Sequence, residues 1–151
     1  MEEKTLGVLG GVGPLATIYF ADLVVKMTDA KTDQEHISMV ILNHGAIPDR
    51  TDYILDHSKP NPLPVMIADA KKLQAAGCDY IVIPCNTAHY FYDEIQKNVD
   101  CSSTNPNLFK RYCINFCIIS DSEEKANHKK PGNECRKSIF SNVHDEIVFK
   151  N

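Results

Sequence analysis

The run Pro84-Cys85-Asn86-Thr87-Ala88-His89 sets a thiol, a carboxamide, a hydroxyl and an imidazole side by side. Before it, residues 80–83 read Tyr-Ile-Val-Ile, a buried-strand pattern that Pro84 brings to a stop. After it, Thr87 opens a helical run over residues 88–99. Cys85 is therefore expected at a strand's carboxyl end and a helix's N-terminus, among unsatisfied backbone N–H groups and the positive end of the macrodipole. Such a setting favours thiolate over thiol, because the charged form gains the hydrogen bonds. Asn86 and Thr87 add side-chain donors, so an anion can dock next to the sulfur. The same spacing also fits a small buried residue closing a strand, a common place for cysteine. Spacing alone does not choose between them.

The elements that would position this group follow from the rest of the chain. Residues 5–9 read as a short buried strand, broken by Gly10-Gly11-Val12-Gly13-Pro14. Over residues 15–27, Leu15, Ile18, Tyr19 and Leu23 recur at helical spacing, and Pro14 suits the first helical position, where its missing N–H costs nothing. Residues 37–42 form a second strand, followed by the loop Asn43-His44-Gly45-Ala46-Ile47-Pro48-Asp49-Arg50-Thr51. A short helix is compatible with residues 51–57, and residues 56–62 read as an exposed connector. Residues 64–76 predict a second main helix with Met66, Ile67, Ala70 and Leu73 inward and Gly77 as its stop. Strand and helix alternate, so the fold class is α/β, a parallel sheet with helices on both faces. Ligands in such sheets bind beyond the carboxyl ends of the strands. Three loops meet at that edge: the glycine loop, the loop bearing Arg50, and residues 85–89. Arg50 can grip a carboxylate bidentately, although alone it equally fits a solvated surface charge. Together the loops suit a small acid held beside a thiolate.

Composition narrows the class. The chain has 151 residues, 43% of them hydrophobic, and a net charge of −4, which gives no nucleic-acid footprint. No apolar run is long enough to cross a bilayer, and Met1-Glu2-Glu3-Lys4 is unlike a signal peptide, so a soluble, cytoplasmic protein with reduced thiols is expected. Residues 1–100 carry 8 basic and 14 acidic residues, and residues 101–151 carry 8 and 6, so the balance changes from −6 to +2. Six of the seven glycines precede position 100. These shifts predict a boundary near Asp100, with residues 1–100 as the α/β domain and 101–151 as a tail.

Other motifs compete for the same residues. Gly11-Val12-Gly13-Pro14-Leu15-Ala16 satisfies a dinucleotide-binding pattern, but that fingerprint wants an acid ending the second strand, where Asn43 and His44 stand. The glycine loop lacks the Gly-Lys-Ser/Thr of a P-loop, and Phe91 occupies the place a phosphatase-type loop gives to arginine. Cys113, Cys117, His128 and Cys135 match no common zinc spacing, so no metal is expected. His89 is read as packing or hydrogen bonding within the first turn after Cys85, and Tyr90, Phe91 and Tyr92 as helix-face packing.

Gly10-Gly11-Val12-Gly13-Pro14-Leu15-Ala16-Thr17, Ile47-Pro48-Asp49-Arg50-Thr51 and Pro84-Cys85-Asn86-Thr87-Ala88-His89 occur together and in this order. The set resembles the cofactor-independent aspartate/glutamate racemase family, and its aspartate branch more closely. Leu9 and Gly10 stand where the glutamate branch has Asp-Ser, while Val12 replaces a methionine common in the aspartate branch. The resemblance covers about residues 5–100. It implies that Cys85 is the first of two acid/base cysteines, that Asn86 and Thr87 hold the substrate's α-carboxylate, that Arg50 receives the side-chain carboxylate, and that the loop around Gly11 lets the backbone approach. It implies no pyridoxal phosphate, other cofactor or metal.

The resemblance further implies a second, similar domain whose own cysteine serves the opposite face of Cα. No second Gly-Cys-Thr motif follows Val99, so weak or no turnover is expected from this chain alone. The tail is expected to be partly disordered over its lysine-rich stretch 120–137, or to add an edge strand from one of its apolar runs, 113–119 and 139–149. A homodimer with Cys85 from each chain is an alternative arrangement that the sequence does not itself encode. The rivals to a racemase are a non-catalytic dicarboxylate-binding protein and another thiol enzyme of small diacids.

Overall fold

In the computed structural model of the protein, residues 4–99 are described. The expectations for residues 100–151, including the boundary, the apolar runs and the cysteines at 101, 113, 117 and 135, lie outside the described residues.

Three parallel strands, β1 (Thr5–Gly10), β2 (Ser38–Asn43) and β3 (Tyr80–Val82), make a sheet in the order β2-β1-β3. The register runs from Thr5 beside Ser38 to Gly10 beside Asn43, and from Leu6 beside Tyr80 to Val8 beside Val82. Because β1 is central, the crossover to β2 and the crossover back to β3 travel in opposite directions along the sheet. Right-handed connections then put their helices on opposite faces. One face carries α1 (Pro14–Met27), with Phe20 and Val24 packed on Leu6, Val8 and Val82. The other carries α3 (Leu63–Ala75) and α4 (Tyr92–Asn98), whose Met66, Leu73 and Ile95 pack with Leu9 and Ile81. Each such fully buried side chain contributes about 1.5–3 kcal/mol of apolar transfer energy. The expected α/β sheet with helices on both faces is the observed fold. Its central strand also marks a switch point, where the chain leaves β1 and β3 toward opposite faces, the place where sheets of this kind bind ligands beyond the carboxyl ends of the strands.

Several elements differ from the sequence reading. On α1 the inward residues are Thr17, Phe20 and Val24, whereas Leu15 and Ile18 are exposed at 77% and 53%, and Tyr19 is also exposed. This helix is apolar nearly all round, so its period does not fix its rotation; Thr17 does. Its hydroxyl, fully buried, accepts from the Gly11 N–H at 3.0 Å and donates to the Gly13 carbonyl at 3.0 Å, tying the helix to the loop before it. Replacing Thr17 by Val should strand the Gly11 N–H, costing about 1–3 kcal/mol, read as a lower midpoint in urea unfolding. The short helix compatible with residues 51–57 exists as α2 (Arg50–Leu55), capped by Asp49, whose carboxylate accepts from the Asp52 N–H at 2.9 Å. That bond, and to a lesser degree the adjacent Arg50 charge, holds the Asp49 carboxyl below its usual range.

The run after Cys85 is not one helix. A 3-10 segment, Thr87–Phe91, comes first, and α4 begins only at Tyr92. In a 3-10 turn residues three apart share a face, which lets Ala88 and Phe91 both enter the core before Tyr92 and Ile95 continue the burial at α-helical spacing. The dipole next to Cys85 therefore belongs to a five-residue turn, and the donors nearest the sulfur matter more than a long helix behind them. Phe91 and Tyr92 pack as expected, while Tyr90 is exposed.

Candidate functional site

The glycine loop follows β1 because no side chain fits there. Gly11 has φ +87°, a left-handed conformation, and a Cβ on it would lie 2.2 Å from the carbonyl carbon and oxygen of His44. The loops after β1 and β2 are thus in direct backbone contact. Gly11 is buried, so any part it takes at this edge is as floor.

Beyond His44, a bond from the Ile47 N–H to the His44 carbonyl at 3.4 Å turns the chain toward Pro48, Asp49 and Arg50. Arg50 is the first residue of α2 and half-buried. One terminal nitrogen of its guanidinium donates to the Pro48 carbonyl at 3.3 Å, while its Nε is buried with no hydrogen-bond partner. A cation so placed, forming no ion pair among the described residues, has donor capacity to spare for an anion.

β3 delivers Cys85 to the same edge. Ile83 and Pro84 are buried, Cys85 is half-buried, and its N–H bonds the Ile83 carbonyl at 2.8 Å. The Asn86 and Thr87 side chains are exposed; neither caps the 3-10 segment, and no backbone acceptor takes the Asn86 or Thr87 N–H among the described residues. The His89 backbone N–H bonds back to the Asn86 carbonyl at 3.1 Å. α2 packs against the 3-10 segment, with the Tyr53 and Phe91 rings 6.0 Å apart. That contact sets the element bearing Arg50 beside the element that follows Cys85. The other described cysteine, Cys78, is buried, and desolvation, reinforced by the Asp79 charge, pushes its thiol up. It packs beneath Gly7, where an added Cβ would lie 3.0 Å from its sulfur.

One constellation was not anticipated. Asp69 lies on the inward face of α3, only 1% exposed, with Oδ2 2.6 Å from Nδ1 of His44 and Oδ1 accepting from Lys72 at 2.8 Å. The signal was present: Met66, Asp69, Ala70 and Leu73 form the buried stripe of α3, and a carboxylate inside such a stripe must find partners. No group of three or more metal-ligating side chains occurs among the described residues, and no described helix is long and apolar enough to cross a membrane.

Fold and edge together define an α/β protein in which the element bearing Arg50 packs against the element that follows the half-buried Cys85 at the carboxyl end of the sheet. The family model for Asp/Glu/hydantoin racemases matches residues 9–106, and the chain belongs to that family. The broad specificity amino-acid racemase RacX of Bacillus subtilis (strain 168) is 36% identical over 96 residues, covering 61% of this chain and 41% of RacX. Among solved structures, the Picrophilus torridus aspartate racemase superposes with a TM-score of 0.59 at 33% identity, over 71% of this chain and 42% of that one. An aspartate racemase homologue from Pyrococcus horikoshii OT3, 20% identical with a TM-score of 0.52 over 69% and 45% of the two chains, shares the fold. The chain thus spans about two fifths of the length of the relatives it matches.

Proposed function

We propose that this chain forms one half of a cofactor-independent amino-acid racemase site of the aspartate/glutamate type. Cys85, as thiolate, takes the proton from Cα: the Cα–H bond breaks, an S–H bond forms, and the electron pair spreads into the α-carboxylate. That hydrogen is a very weak acid, so donors must be in place where negative charge grows. Asn86 and Thr87 supply them at the α-carboxylate, Arg50 holds the side-chain carboxylate, and the backbone at Gly11 lets the ligand sit close. The observation that carries this reading is Arg50, half-buried with an unpartnered Nε, on the element packed against the one that follows Cys85.

Inversion also needs a proton donor on the other face of Cα, and Cys85 serves one face, so exchange of the α-proton with retention is the activity expected of this half of the site. The spare donor capacity of Arg50 would equally serve one other reading, a protein that binds a dicarboxylate without chemistry. Calorimetry with aspartate addresses both. Arg50→Ala should weaken binding about ten- to hundredfold, the worth of a hydrogen-bonded charge. Equal affinity in parent and variant would remove Arg50 from the site, and binding without any exchange of the α-proton would favour the binding-only protein.

A further inference from the structure

An amino-acid dicarboxylate presents three charged groups, and the reading above provides for two of them. Arg50 and the donors of residues 86–87 face carboxylates, but an ammonium needs an acceptor. Asp49, next to Arg50 in the sequence, is exposed and caps α2 by accepting from the Asp52 N–H. His44 is differently placed. It follows β2 directly, its backbone is locked against Gly11, and its carbonyl anchors the turn leading to Arg50. Its ring is 34% exposed, and Nδ1 rests on the buried carboxylate of Asp69 at 2.6 Å. The other Asp69 oxygen accepts from Lys72. An ionised carboxylate can only accept, so Nδ1 carries the proton and, in the neutral ring, Nε2 keeps its lone pair. Nε2 has no hydrogen bond among the described residues.

We infer that His44, held in this tautomer by Asp69, is the ammonium-binding residue of the site, its Nε2 accepting an N–H bond from the substrate's amino group. The inference rests on the racemase-site reading and extends it: it makes the site selective for amino acids over plain diacids. A neutral acceptor leaves the ammonium's positive charge in place beside Cα, where that charge eases loss of the proton, whereas a carboxylate at the same spot would offset it.

The test compares L-aspartate with succinate, which keeps both carboxylates and lacks the amino group, by calorimetry on the full chain. His44→Ala should weaken aspartate about ten- to hundredfold and leave succinate within about twofold. Asp69→Asn should do the same with the ring still present. Lys72 would hold the amide oxygen, the NH2 would face Nδ1, and the tautomer would reverse so that Nε2 becomes a donor. Equal losses for both ligands, or none, would reduce His44 and Asp69 to a structural tie and overturn the inference while leaving the racemase site standing. Absence of any Arg50-dependent binding of either ligand would overturn both. Should the variants fail to fold, the parent decides: in a 1H–15N spectrum of its imidazoles, aspartate should move the His44 Nε2 signal and succinate should not. Equal shifts would overturn the inference.

Discussion

Cys85→Ser is expected to stop deuterium from solvent entering Cα of bound aspartate, lowering the exchange rate about a thousandfold or more. A positioned general base is worth about 10²–10⁴ in rate, and a serine hydroxyl at the end of β3 would keep the shape of the site while holding its proton far more tightly than a thiol does. Mass spectrometry of aspartate recovered from deuterated buffer measures the exchange, and chiral chromatography of the same sample measures configuration. Parent chain should give deuterated aspartate of unchanged hand, since one thiol serves one face of Cα. Cys78→Ala is the matched control: that residue is buried and burial pushes its thiol up, so exchange should be unaltered in folded protein. Persistent exchange in Cys85→Ser would put the base elsewhere and end the thiolate mechanism for this chain.

Gly11→Ala should be the most damaging of the single-methyl additions, costing about 3 kcal/mol or more and lowering the melting temperature by more than about ten degrees. Three glycines separate the causes. Gly45 has no left-handed φ, and its added Cβ would meet only Pro14 at 3.7 Å, an ordinary contact, so alanine there should be nearly neutral. Gly77 has φ +82° with nothing within 4 Å of the added Cβ, so alanine there reads the backbone strain alone, about 1–2 kcal/mol. Gly11 combines φ +87° with a 2.2 Å encounter with the His44 backbone, where neither partner is a side chain that can swing aside. The Gly11 loss minus the Gly77 loss measures how tightly the loops after β1 and β2 are joined. Equal losses at the two positions would mean that the loops separate at little cost.

What was legible in the sequence was the punctuation and the order of elements. Glycine and proline at 10–14, 77 and 84 bounded the strands and helices within a residue or two, because those residues act through the local backbone. Alternation of strand and helix then implied the parallel sheet and the edge where Arg50 and Cys85 lie. The rotation of α1 was not legible, since Leu15, Ile18 and Tyr19 offer as good an apolar stripe as Thr17, Phe20 and Val24; one buried hydroxyl decided it. The break after Cys85 was missed because Ala88, Phe91, Tyr92 and Ile95 satisfy helical spacing overall, and only three-dimensional packing distinguishes a tightened first turn from a regular one. The His44–Asp69 pair joins residues 25 apart, a distance at which local pattern carries no information about partners. Even so, a carboxylate amid Met66, Ala70 and Leu73 was a signal that something had to meet it.

The abutment of Gly11 and His44 also bears on how a ligand would arrive. Two loops whose main chains already touch cannot fold over a guest independently, and most of their conformational entropy is spent before it comes. Capture at this floor should therefore be a simple one-step association with little ordering penalty, its rate set by encounter and charge steering and not by a hinge.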